Sequence, residues 1–156
     1  MREGRGFEIH KNRDIYFGQY KDNRRHGQGN LYKVTTGETF KGEWYQGMKH
    51  GVGEWKIRGS QFSFSGMWLN NRPEGYGKLT THEGDHYEGN FVYGKKHGTG
   101  VEMFKEGGSY IGNYANGLPH GHGKLIDPDG TIYIGQFRNG KKHGAGQWRL
   151  DMKEKT

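Results

Sequence analysis

The sequence predicts an all-β fold: an elongated, twisted, single-layer antiparallel sheet of consecutive hairpins, with no helices of note. Three features predict it. Runs such as Phe40-Lys41-Gly42-Glu43-Trp44 alternate bulky and polar residues with the period of two that a two-faced strand requires. An aromatic residue recurs at Tyr16, Phe40, Phe64, Tyr87, Tyr110 and Tyr133, at spacings of 24, 24, 23, 23 and 23 residues, the mark of a repeat architecture. Glycine supplies 30 of 156 residues and the apolar fraction is only 29%, while aromatics reach 14%, so rings have to supply most of the buried area.

Taken in order, the chain opens on Gly4-Arg5-Gly6-Phe7-Glu8-Ile9. This run matches only the second half of the repeating unit and falls in register with it, which gives a half repeat over about residues 3–10. Six full units follow, starting near residues 15, 39, 63, 86, 109 and 132. Each unit is numbered below from its first aromatic, position zero. Position two is glycine in every copy, and position four is Tyr20, Trp44, Trp68, Phe91, Tyr114 or Phe137. Position seven is Asn23, Gly47, Asn71, Gly94, Gly117 or Gly140, the residue types that tolerate positive φ, so the hairpin turns there. Position ten is histidine except at Glu74, and positions eleven and thirteen are always glycine. Position fifteen is large and apolar at Leu31, Trp55, Leu79, Leu125 and Trp148, but Glu102 in the fourth unit. A bulge or register shift is expected there, returning Val101 or Met103 to the apolar face. Residues 1–150 thus form one array, and Asp151 to Thr156 form a short charged tail expected to fray.

Strand geometry gives the glycines a purpose. Positions zero, two and four point to one face, and positions eleven, thirteen and fifteen of the partner strand to the same face. Glycine in a strand costs about 0.5–1 kcal/mol relative to alanine. The compensation expected is room for a ring from a neighbouring strand to lie against the backbone. The opposite face, with Gln19, Lys41, Glu43, Glu88, Asn90, Asn113 and Gln136, reads as mostly wet. Thirteen strands at roughly 4.8 Å give a sheet about 60 Å long.

The pattern Tyr-x-Gly-x-Trp/Phe/Tyr, then Gly or Asn, then His-Gly-x-Gly-x-Leu resembles the MORN (membrane occupation and recognition nexus) repeat over about residues 3–150. Glu74, Asn23, Asn71 and the fourth unit depart from it. The resemblance implies an elongated hairpin array acting as a scaffold or adaptor, not a catalyst. It also implies places in radial spokes of cilia and flagella, other cytoskeletal structures, membrane junctions and non-catalytic regions of lipid kinases.

Composition narrows the rest. No run of about 18 apolar residues is present to span a membrane. Met1-Arg2-Glu3-Gly4 lacks the apolar core of a secretory signal. With no cysteine there is no disulfide framework, and the expected location is cytoplasmic. The net charge of +7 favours an acidic partner.

Four constellations bear on chemistry. Successive position-ten histidines lie two strands apart, roughly 9.5 Å, whereas zinc holds nitrogen at about 2.0–2.1 Å. No metal is expected, and each imidazole is read as bracing a turn and packing on a ring. The Gly-x-Gly pairs lack the strand–turn–helix setting of a nucleotide loop, so no cofactor is expected. No Ser/His/Asp or paired-carboxylate set recurs, and Glu83, Asp85 and His86 stand in a loop, so no catalytic residue is assigned. The turns carry Arg24, Arg25, Lys49, Arg72, Lys95, Lys96, Lys141 and Lys142, a basic edge opposite loops that lean acidic at Glu38, Glu83, Asp85, Glu106, Asp127 and Asp129.

The sequence therefore predicts a non-enzymatic scaffold. Its protein-binding face is expected at Tyr20, Trp44, Trp55, Trp68, Phe91, Tyr114, Phe137 and Trp148, because rings beside glycines form a trough and rigid aromatics dominate interface energy. The basic edge is expected to assist. The rival reading is a peripheral membrane adaptor for anionic phospholipid. Nucleic acid is disfavoured, since the rings belong to the packed face. The terminal strands offer edges for end-to-end self-association.

Overall fold

A computed structural model describes residues 1–150; the tail read as fraying lies outside them. The strands are β1 (Gly4–Ile9), β2 (Ile15–Lys21), β3 (Arg24–Lys33), β4 (Glu38–Tyr45), β5 (Met48–Ile57), β6 (Ser63–Leu69), β7 (Arg72–Thr80), β8 (His86–Val92), β9 (Lys95–Met103), β10 (Ser109–Ala115), β11 (Leu118–Ile126), β12 (Thr131–Arg138) and β13 (Lys141–Leu150). They form one 13-stranded antiparallel sheet in chain order. There is no helix among the described residues. Each strand pairs only with its sequence neighbours, as the half repeat and six hairpins require.

Every hairpin closes through a two-residue loop with positive φ at both residues. Gln46 and Gly47 stand at 48° and 84°, and Asn116 and Gly117 at 51° and 86°. This is the type I′ turn, whose twist matches that of the strands it joins. Position seven is left-handed in all six copies, as read. Position six is left-handed too, and there Asp, Gln, Asn and Tyr bear the strain.

The register inside each hairpin differs from the simple ladder. Position four pairs with position nine, but position two pairs with position thirteen, so all six hairpins shift between those two pairs. The extra length is a bulge at positions ten to twelve, and position eleven takes positive φ in every unit, from 66° at Gly144 to 93° at Gly75. Glycine at position eleven is therefore a bulge residue and not part of the flat packing face. The ladder between hairpins is unbroken. The bulge is built from position three: Gln19 Oε1 accepts from Gln28 N at 2.7 Å, and Glu43 Oε2 from Val52 N at 2.6 Å.

The shift expected at Glu102 does not occur. Tyr87 pairs with Glu102 and Gly89 with Gly100, as position zero pairs with fifteen and two with thirteen elsewhere. Glu102 itself is buried at 7% exposure, while Val101 and Met103 point to the opposite face. The carboxylate is tolerated because Lys96 pairs with it and the Tyr114 hydroxyl donates to it at 3.3 Å.

Candidate partner-binding surfaces

One face of the sheet is a closed zipper of rings. Within each unit the rings at positions zero and four meet edge to face, as Phe40 and Trp44 do at 5.3 Å. Position zero meets position four of the next unit in the same way, as Phe40 and Trp68 do at 5.0 Å. The pattern runs unbroken from Tyr20 to Tyr133. Such pairs contribute about 0.5–1.5 kcal/mol each beyond area burial. Glycines at positions two and thirteen let the rings descend to the backbone. A Cβ at Gly77 would lie 2.6 Å from Phe64 Cε2 and Cζ, and one at Gly89 2.6 Å from Gly100 Cα.

The zipper leaves little of the expected partner face open. Tyr20, Trp44, Trp68, Phe91, Tyr114 and Phe137 are all buried, because each ring is covered by its neighbours, with a cation above Tyr20, Trp44, Trp68 and Tyr114. Trp44 and Trp68 also spend their Nε1 protons on Gly29 O and Gly53 O, both at 3.0 Å. Trp55 is half-buried against Phe62 and Trp68. Trp148 alone of the eight is open, at 58%.

The basic edge divides in two. Position nine turns onto the rings: Arg25 over Tyr16 and Trp44, Lys49 over Phe40 and Trp68, Lys96 over Tyr87 and Tyr114, Lys142 over Tyr133 and Trp148. Arg2, at position nine of the half repeat, lies over Tyr20 in the same way. Backward projection of the repeat would have marked it. Position eight stays outward, where Arg24, Arg72, Lys95 and Lys141 are exposed.

Burial shapes the ionisation of this stripe. It pushes the Tyr16, Tyr20, Tyr87 and Tyr110 hydroxyls up to about 12, aided at Tyr20 by the Glu8 carboxylate and at Tyr87 by Glu102. Tyr114 is raised further by burial and Glu102. Burial, with repulsion from Lys33, lowers the Lys49 ammonium to about 8, against the pull of the two ring faces beneath it.

Two glutamates at position fifteen share one arrangement. Glu8 accepts from Tyr20 at 2.6 Å as Glu102 does from Tyr114, and these are the only two units with tyrosine at position four. Burial opposes ionisation of Glu8, but the Tyr20 hydroxyl, His10 and Arg2 outweigh it and hold the carboxyl below its ordinary value. The pairing was visible in the sequence, since each tyrosine follows its glutamate by twelve residues.

Position ten braces the next hairpin's turn and not its own. Nδ1 of His26 accepts from Gln46 N and that of His120 from Asn139 N, both at 3.5 Å. Glu74 replaces histidine in this role, accepting from Tyr93 N at 2.8 Å, and Glu3 does so for Asp22 N at 3.0 Å. The position-seven N–H is likewise handed back, as from Gly94 to Pro73 O at 2.9 Å. His26 and His50 both pack on Tyr45. Among the described residues no three His, Asp or Glu side chains converge on a metal-sized site.

The face opposite the zipper is less wet than its polar residues suggest. Cross-strand pairs run Lys41–Glu54, Lys78–Glu88 and then Val101–Ile111, with Tyr76 and Met103 alongside. Ile111 is 47% exposed and Met103 53%. Lys78, Glu88, Val101, Met103 and Ile111 line a groove of about 940 Å³ over β6–β10, and the Tyr76 hydroxyl donates to Glu88 at its rim. A smaller, polar groove of about 360 Å³ lies over β3–β6 on the same face, lined by Asn30, Lys41, Glu43 and Glu54. Ser65 lines both, so they join into one trough.

Comparison with known proteins matches the MORN repeat model at residues 16–34, 40–56, 64–86, 87–109, 110–132 and 133–150. Human alsin is 32% identical over 96 residues, covering 59% of this chain and 6% of alsin, and rat alsin matches equally. MORN repeat-containing protein 3 of Xenopus laevis is 31% identical over 71 residues, covering 42% of this chain and 30% of that protein. The chain thus spans under a third of the curated relatives it matches.

Proposed function

The chain belongs to the MORN repeat family, and from that premise we propose that it is a non-enzymatic scaffold or adaptor that docks a partner protein in the trough opposite its aromatic zipper. The observation that carries this reading is the 940 Å³ groove, whose apolar floor at Val101, Met103 and Ile111 is covered by none of the described residues. The rings expected to bind are consumed in holding the sheet together, so they support the trough from behind.

The trough favours a helix. Strands β2 to β12 are paired on both sides, so the floor offers no free main-chain ladder. An extended segment would leave its own N–H and C=O groups unpaired over Val101 and Ile111, a loss of about 1–3 kcal/mol per group. An amphipathic helix satisfies its own backbone. From β3 to β10 the trough spans seven strand spacings, roughly 34 Å at about 4.8 Å each, or about 22 helical residues. Its apolar half would sit over β8–β10 and its polar half over β3–β5.

The test is a quantitative pull-down from the source cell with the wild type, Val101→Asp/Ile111→Asp and Trp55→Ala, all shown folded by far-UV spectra. The groove variant is expected to lose its partners by tenfold or more while Trp55→Ala keeps them. Partners retained by the folded groove variant would remove the reading. Placement in a ciliary, flagellar or other cytoskeletal assembly rests on family membership, and localisation of the tagged protein checks it. Edge pairing through β1 or β13 is part of the same proposal, and a mass independent of concentration would remove that part.

A second reading, binding of anionic phospholipid, is supported by the exposed row Arg24, Arg72, Lys95 and Lys141. Arg25, Lys49 and Lys96 at position nine contribute less to it, since they lie half-buried over zipper rings, whereas Arg72 lies over the exposed Tyr93 and stays open. Salt-sensitive sedimentation with phosphatidylserine vesicles, lost in Lys95→Glu/Lys141→Glu, is the expected result under this reading.

A further inference from the structure

Two of the six turns place asparagine directly before glycine: Asn116-Gly117 and Asn139-Gly140. This pair is the one most prone to cyclise, because glycine has no Cβ to obstruct the ring. At position seven the asparagine amides are held. Asn23 Oδ1 accepts from Arg2 N at 2.6 Å and Asn71 Oδ1 from Lys49 N at 2.9 Å. Neither Asn116 nor Asn139 has a side-chain partner among the described residues, and both are exposed.

The two sites differ. No atom lies within 4 Å of where a Cβ would stand on Gly117, whereas Leu118 Cδ2 lies 3.6 Å from the equivalent point on Gly140. The Asn139 N–H is held by His120 at 3.5 Å, and no histidine holds that of Asn116. The Gly117 and Gly140 N–H groups each donate to the preceding hairpin, to Lys96 O and Pro119 O at 2.9 Å.

We propose that Asn116 is a spontaneous modification site that converts to aspartate and isoaspartate in the folded protein, ahead of Asn139. The Gly117 nitrogen attacks Asn116 Cγ, so the N–Cγ bond forms, the Cγ–Nδ2 bond breaks, and ammonia leaves with the glycine proton. Water then opens the succinimide at either carbonyl. One water is consumed and one ammonia released, with no change of oxidation state. The product puts a carboxylate into the basic turn row. The isoaspartyl form adds a main-chain carbon to a two-residue turn, which cannot then keep the Gly117–Lys96 hydrogen bond.

The experiment ages the full chain in mildly alkaline buffer, folded and in urea, and maps peptic fragments by mass and by isoaspartyl methyltransferase labelling. The folded chain is expected to gain acid at Asn116 several-fold faster than at Asn139. Asn116→Gln should abolish conversion there and keep the fold, because Gln46 occupies the same turn position at φ 48°. The proposal is overturned if Asn116 stays intact in the folded chain while the urea-unfolded chain converts there. It is equally overturned if Asn139 converts first.

Discussion

At Glu102 a carboxylate sits in a stripe otherwise made of rings, and its desolvation is offset by the Lys96 ammonium and the Tyr114 hydroxyl. Breaking such a pair from one side leaves a buried charge, so Glu102→Ala should cost about 3–5 kcal/mol. Replacing both partners, Glu102→Leu with Lys96→Met, should stay within about 1 kcal/mol of the wild type, since a leucine at position fifteen is what Leu79 and Leu125 already supply. Urea unfolding of the three chains separates the two expectations. Titration gives a second test. The tyrosines titrate near 10 when unfolded but near 12 when folded, so their contribution is complete below pH 10 and lost as pH rises through 12. Lys49 acts in the opposite sense: its buried charge burdens the fold below about pH 8, and the burden lifts as pH rises toward its unfolded value. Stability should therefore rise slightly from pH 8 to 10 and fall steeply from 10 to 12, with Lys49→Met removing only the first change. Local spacing showed which residues recur at position fifteen, but not that an exception could keep its register by recruiting two partners.

Within one hairpin, glycines of identical spacing do different work. Gly47 has open space around the point where a Cβ would stand, so Gly47→Ala should cost only the left-handed penalty of about 1–2 kcal/mol. At Gly77 the same methyl meets the Phe64 ring at 2.6 Å, so Gly77→Ala should cost more than Gly47→Ala; the reverse order in urea unfolding would contradict the packing assigned to position thirteen. The clip at position ten is testable by rescue: Glu74→Ala should destabilise by about 1 kcal/mol, and Glu74→His should recover it, as His26 and His120 accept the equivalent bond. The strands, turns and left-handed position seven were legible because period and turn chemistry are local. The bulge at position eleven was not, since alternation alone cannot distinguish a glycine that makes room from one that bends the strand. The inward turn of position nine was equally hidden, because a lysine beside a turn reads as solvated until the rings below it are placed.

Among the described residues each strand is hydrogen-bonded only to its neighbours in sequence, and the ring contacts reach one strand further, from one unit to the next, so stability is a sum of local terms and damage should remain local. Amide exchange in Gly77→Ala should quicken in β6–β8 and leave β12 unchanged; uniform quickening would mean the array unfolds as one unit. The same architecture decides where a partner can dock. A single layer has two faces, and because rings fill one of them, the proposed docking surface is the trough from Lys41 to Ile111 on the other. The burial of the rings was not legible in the sequence, because exposed and stacked rings have the same spacing. Site-specific photo-crosslinking tests this most directly, with a benzoyl-phenylalanine placed singly at Ile111 or Tyr76 in the trough, or at Trp55 or Leu125 on the zipper side. Partner adducts from the trough positions alone are the predicted result, and adducts from the zipper positions alone would contradict the account.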